Sequence, residues 1–170
     1  MKLKIYFHTF FLLTLVLVSC EDDGYEDFEN EKTRVQPLSG EWWIVGYAPD
    51  GTPAFAGDYN LWSTYNTAQN NDSMWIDDHG SFFELKTKVL ANVEALTFTG
   101  APNSPELITG GTVTVSNGKI LPGQGRSAVT NTPVDSIYFE AEFDWEPGVI
   151  YTFGGHERTG FLEDENPTLH

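Results

Sequence analysis

Apolar and polar residues alternate with period two along most of this chain, which confines it to strands that turn one face to a core and the other to water. The clearest stretch is Ile137-Tyr138-Phe139-Glu140-Ala141-Glu142-Phe143-Asp144-Trp145, with Ile137, Phe139, Ala141, Phe143 and Trp145 on one side and Glu140, Glu142 and Asp144 on the other. Phe83-Glu84-Leu85-Lys86-Thr87-Lys88-Val89 repeats the pattern. Further strands are predicted over 41–47, 59–65, 73–77, 93–98, 112–115 and 149–153, separated by the turn formers Asp50-Gly51, Asp78-His79-Gly80, Asn117-Gly118 and Glu146-Pro147-Gly148. No segment keeps a 3.6-residue apolar period for long; Leu90 to Leu96 comes nearest and suits a short strand with a loop.

The class is therefore all-β, with about eight short antiparallel strands. Such strands close into an up-and-down barrel or pack as a two-layer sandwich, and periodicity alone does not separate the two. Closure removes the exposed strand edges that a secreted β domain must otherwise protect, which favours the barrel.

The N-terminus supplies an address. Lys2 and Lys4, the apolar run Phe10 to Val18, and Leu17-Val18-Ser19-Cys20 have the order of a lipoprotein signal peptide ending in a lipobox. Residues 1–19 are expected to be removed, leaving Cys20 acylated; several acyl chains make such an anchor effectively permanent. Cys20 is the only cysteine, so the mature chain has no internal disulfide and must hold by packing. Glu21-Asp22-Asp23-Gly24 resembles the acidic export signal of Bacteroidota-type lipoproteins, which places the expected destination on the cell-surface side of the outer membrane. Residues 20–36 then form an acidic flexible tether, and 37–170 a single folded domain.

The formal charge is −16, and removal of Lys2 and Lys4 takes it to −18. Nucleic acid is excluded as a partner, because phosphate recognition needs clustered Lys and Arg. An anionic membrane surface is likewise repelled, so contact with the membrane is expected through the acyl anchor alone.

Two motifs carry a resemblance. Gly40-Glu41-Trp42 matches the G-x-W of lipocalins and other calycins, in which the Trp caps the closed end of the barrel and a basic residue after the last strand crosses its indole. That resemblance gives the basic part to Arg158, as a stacked cation-π contact. The longer stretches Leu38 to Tyr47 and Arg158 to Glu165 resemble the family of Bacteroidota-type lipoproteins described as lipid-binding putative hydrolase, which adopts a lipocalin-like barrel. The chain departs from standard lipocalins in lacking their disulfide and a T-D-Y motif.

Catalytic signals are few. Of four histidines, His8 leaves with the signal and His170 ends the chain. His79, in Asp77-Asp78-His79-Gly80, and His156, in Gly155-His156-Glu157, are the candidate bases. No second His follows His156 at the spacing of a zinc-binding H-E-x-x-H helix, and Gly125-Arg126-Ser127-Ala128-Val129 falls one residue short of a nucleophile elbow. It is read as part of a loop from Pro122 to Pro133. Neither a cofactor nor a metal is expected.

The aromatic residues are the stronger lead. Trp42, Tyr59, Phe83, Phe98, Phe139, Phe143, Tyr151 and Phe153 are predicted to point inward, with Trp43, Trp62, Trp75 and Tyr65 on outer faces or a rim. An eight-stranded barrel is wide enough either to fill with side chains or to hold one small ligand. The expected function is binding of a lipid or other small hydrophobic ligand in a pocket lined by Trp42, Leu61, Leu85, Phe139, Phe143 and Tyr151. A glycan- or partner-binding role in a surface uptake complex is the alternative, and an esterase-like hydrolase the third reading.

Overall fold

The computed structural model describes residues 32–165 and 167. Among them lie strands β1 (Gly40–Tyr47), β2 (Asn60–Asn66), β3 (Ser73–Asp77), β4 (Lys86–Asn92), β5 (Thr97–Thr99), β6 (Ser104–Pro105), β7 (Thr112–Arg126), β8 (Pro133–Phe143) and β9 (Ile150–Glu157). Three 3-10 turns, Gln36–Leu38, Phe55–Gly57 and Leu162–Asp164, complete the elements. The predicted signal peptide, the predicted lipobox with Cys20 and most of the predicted acidic tether lie outside the described residues.

Every pairing is antiparallel, in the order β5-β4-β3-β2-β1-β9-β8-β7-β6. A further pairing, Thr97 with Lys119 and Phe98 with Gly118, joins β5 to β7 and closes eight strands into a barrel, with β6 attached to β7 outside the ring. The inner faces carry one continuous core that includes Trp42, Ile44, Trp62, Met74, Ile76, Val89, Phe98, Val115, Ile137, Phe139 and Phe153.

The registers give the barrel two unlike ends. At one end the turn Gln36–Leu38 places Val35 and Leu38 fully buried against the core. Packed residues therefore precede Pro37, the predicted start of the domain: Val35 is core and Arg34 is tied by its side chain to Asp72 at 2.5 Å. The loops 48–59, 78–85, 100–111 and 144–149 form a rim at the other end.

Several boundaries differ from those predicted, each for a local reason. Phe83 to Leu85 is loop rather than strand, because the buried Asp78 carboxylate accepts the backbone N–H groups of Gly80, Ser81, Phe83 and Leu85. Val93 to Leu96 is a turn, with Asn92 Oδ1 accepting Ala95 N–H at 3.1 Å and Leu96 at φ 53°. Asn117-Gly118 is no hairpin turn but a bulge within the 15-residue β7, where the register slips between Ser116 and Lys119. A Cβ at Gly118 would lie 2.3 Å from the Phe98 ring, so glycine lets β5 and β7 approach. A second slip between Leu121 and Gly125 extends β7 through much of the predicted loop, leaving 127–132 as the connection.

Candidate functional site

The barrel is filled with rings. Phe139 and Phe153 stack with centroids 4.6 Å apart, and Trp62 lies against both, at 5.6 and 5.4 Å. Phe83 meets Phe153 edge-on at 4.7 Å and stacks with Phe143 at 5.7 Å. Phe139, Phe153 and Leu85 expose 0% of their surface, so none borders a space that a water molecule enters.

This corrects the expected pocket. Trp42, Leu85, Phe139 and Phe143 do converge, but as packed core. Tyr151 is only partly buried, packed on the core's rim side against Phe83 at 5.4 Å. Leu61 faces outward, because β2 is phased one residue from the prediction: Trp62 sits opposite Trp42 inside the barrel, and Leu61 opposite Trp43 outside. Tyr59 correspondingly sits beside His156 rather than in the core.

At the closed end the Trp42 indole N–H donates to Thr64 Oγ1 at 2.9 Å, and Thr64 in turn donates to the Leu38 carbonyl at 2.6 Å. Gly40 lies against this indole: a Cβ there would be 3.1 Å from Trp42 Cζ2. Arg158 takes a different part from the one the resemblance assigned. Its Nη1 bonds Glu41 Oε2 at 2.6 Å and its Nε bonds Glu165 at 2.8 Å, and none of the cation-π pairs among the described residues joins it to Trp42. The two carboxylates hold the guanidinium, raising its pKa further.

An open apolar site lies instead in the outer wall. β5 pairs only with residues 90–92 of β4, so the first half of β4 has no strand partner on that side. The segment around β6 covers it: Leu107 N–H donates to Lys86 O at 3.0 Å, Thr87 Oγ1 to Pro105 O at 2.9 Å, and Lys86 N–H to Glu106 Oε1 at 3.1 Å. Burial pushes the Glu106 carboxyl up, but bonds from the Thr109 hydroxyl and the Ile108, Thr109 and Lys86 N–H groups outweigh it and hold the group below its ordinary range. Between this segment and the outer face of β3 and β4 runs a groove of about 370 Å³, walled chiefly by Trp75, Leu90, Ala101, Pro105 and Leu107. Lys88 stands at its edge with Nζ 5.2 Å from the Trp75 ring centre. A larger depression of about 670 Å³ crosses β5, β7 and β8 near Asn117, Lys119, Tyr138 and Glu140, but it is more open, and its lining mixes polar and apolar groups.

Beside the groove, on the same outer face, Ser63 lies opposite Asp77 and Asp77 opposite Lys86. Asp77 Oδ2 accepts from the Tyr65 hydroxyl at 2.7 Å and from Lys86 Nζ at 2.6 Å. Burial raises the Asp77 pKa, yet these bonds and the His79 N–H outweigh it and keep the carboxyl below its usual range. His79 projects from the loop that Asp78 organises, and its Nε2 lies 2.9 Å from Ser63 Oγ. His156, the other candidate base, is 5% exposed on the outer face opposite Trp43, with Nδ1 3.1 Å from the Glu157 carbonyl and Nε2 unpaired. Among the described residues no hydroxyl bonds it. No group of three His, Cys, Asp or Glu side chains among the described residues is placed to hold a metal ion.

The prediction missed Ser63, Leu90 and Leu107. A faint signal existed in Lys86-Thr87-Lys88-Val89-Leu90, where Leu90 falls on the otherwise charged face and remains 62% exposed.

The closed antiparallel ring, its plugged end and its G-x-W tryptophan define a small lipocalin-like β-barrel. More narrowly, the chain belongs to the family described as lipid-binding putative hydrolase, whose model matches residues 27–162. No curated protein matches the chain.

Proposed function

We propose that the protein is an outer-membrane lipoprotein, anchored through Cys20 and displayed at the cell surface, that holds a lipid chain or other small hydrophobic ligand in the groove between β4 and residues 101–107. The observation that carries the reading is the contrast between a barrel interior closed to water and an apolar groove of about 370 Å³ open in its wall. Family membership favours lipid as the ligand class. Covering the groove contributes about 25 cal/mol per Å² of apolar surface before association costs are subtracted.

The test is to incubate the purified mature protein with a total lipid extract and identify what stays bound by native mass spectrometry. A lipid adduct that Leu107→Asp weakens by on the order of tenfold or more supports the groove. No adduct, or one that Leu107→Asp leaves unchanged, overturns it. Anchoring is tested separately: Cys20→Ser should move the protein from the membrane to the soluble fraction, and protease added to intact cells should digest the wild-type protein.

A second reading, a surface partner or glycan, draws on the rim. Phe55, Phe82, Leu107, Ile108, Trp145 and Ile150 are each 39% exposed or more, and all lie at the rim end. Phe55 stacks on Phe82 at 4.9 Å, and Trp145 on Phe143 at 5.1 Å. Large apolar side chains left exposed at one end of the barrel favour a surface that meets another molecule. A glycan array and a pull-down that both lose their hits with Trp145→Ala would favour this reading.

A further inference from the structure

We propose that Ser63 is a nucleophile toward carboxylic esters of lipid chains, with His79 as its base and Asp77 as the residue that positions His79. For the acyl chain this rests on the groove reading above; for the nucleophile it rests on the geometry alone. Ser63 Oγ and His79 Nε2 are 2.9 Å apart, within reach for proton transfer. The other ring nitrogen, Nδ1, lies 4.0 Å from Asp77 Oδ1. Asp77 Oδ1 already accepts the His79 backbone N–H at 2.9 Å, fixing the residue that carries the imidazole.

The backbone around this base is held in an unusual conformation. His79 has φ 59°, in the left-handed region that side chains rarely adopt, and the bonds of Asp78 to four later N–H groups hold the turn there. The Asp77 side chain is 6% exposed, and Lys86 and Tyr65 bind its other oxygen. Those bonds keep it an anion able to orient an imidazole N–H. Lys86 Nζ gives one N–H to Asp77 and one to the Tyr65 oxygen, 2.8 Å away, and its third is the donor on this face left for a developing oxyanion, since the Tyr65 proton is on Asp77 and the strand N–H groups around Ser63 belong to the sheet. Trp75, which lines the groove, lies directly opposite Tyr65, two residues along β2 from Ser63, so the groove and the Ser63 face adjoin at this residue.

Ser63 Oγ attacks the ester carbonyl carbon while its proton passes to His79 Nε2. The carbon–oxygen bond to the alcohol breaks, and the alcohol leaves with that proton. Water then gives a proton to the same nitrogen and attacks the acyl carbon. The acid is released and the Ser63 hydroxyl regains its hydrogen.

The experiment uses the mature protein, a fluorophosphonate probe read by intact mass, and the p-nitrophenyl esters of acetic and decanoic acid. The expected result is one phosphonyl adduct, absent in Ser63→Ala, and turnover reduced on the order of 10²-fold or more in Ser63→Ala and His79→Ala, with melting temperatures unchanged. Asp77→Asn should lower kcat and leave KM in place, a split that a merely structural role does not produce. Faster turnover of decanoate than acetate supports the groove as well; equal rates uphold Ser63 and count against the groove. No adduct with no turnover above buffer, or an adduct that survives Ser63→Ala, overturns the assignment even if lipid binds.

Discussion

Phe139 and Phe153 face each other across the β8–β9 seam with ring planes 4° apart and centroids at 4.6 Å, and neither exposes any surface. The pair lies at the centre of the ring column that runs from the rim to Trp62. Truncation there leaves a void that rigid strands collapse into poorly. Phe139→Ala is expected to cost about 3–5 kcal/mol in urea unfolding. A cost under about 1 kcal/mol would mean that the interior is slack and open to a ligand.

Thr64 links the plug to the barrel by accepting from Trp42 Nε1 and from the Gly40 N–H at 3.1 Å while donating to Leu38 O. Thr64→Val keeps the shape and removes every one of these bonds, leaving a buried indole N–H unpaired. The expected loss is about 1–3 kcal/mol, read as a lower urea midpoint with an unchanged slope.

Gly155 permits the β1–β9 closure. A Cβ there would stand 2.1 Å from the Trp43 carbonyl oxygen and 2.9 Å from Ile44 Cα, both backbone atoms that cannot yield. Gly155→Ala is expected to destabilise by about 3 kcal/mol or more. Gly51→Ala, where no atom lies within 4 Å, tests a different cost, that of left-handed backbone at φ 81°.

Asp164 ties the C-terminal turn to the 127–132 loop. Burial raises its pKa, but the Thr130 hydroxyl and N–H, at 2.6 and 2.8 Å, and the Thr159 hydroxyl, at 2.9 Å, outweigh it and hold the carboxyl well below the usual range. The folded value lies below the unfolded one of about 3.9, so the stabilisation is complete above that pH and is lost as the pH falls through it toward the folded value. Thermal melting from pH 6 to pH 2 should fall more steeply for the wild type than for Asp164→Asn. Parallel curves would contradict this.

What the chain made legible was the alternation. β1, β3, β8 and β9 fall where period two predicts them, most plainly in β8, whose inner residues are buried and outer ones partly in water; β1 buries Trp43 and Val45 on its outer face as well. β2 was misphased because Leu61 and Trp62 are both large and apolar, so hydropathy does not say which enters the core; the cross-strand position of Trp42 decides it. Asn117-Gly118 carries the signature of a hairpin turn, and only the approach of Phe98 makes it a bulge. The site was least legible. A filled barrel and a hollow one share the same alternation, the groove arises from the shortness of β5, and Ser63 meets His79 across sixteen residues.

The central claim, that a lipid chain lies in the wall and not in the barrel, is tested most directly by tryptophan quenching with a bromine-labelled fatty acyl chain. Trp75 lines the groove while Trp62 is sealed in the core. Quenching of the wild-type protein that disappears in Trp75→Phe is the predicted result. Quenching that persists undiminished in Trp75→Phe would place the chain elsewhere and contradict the account.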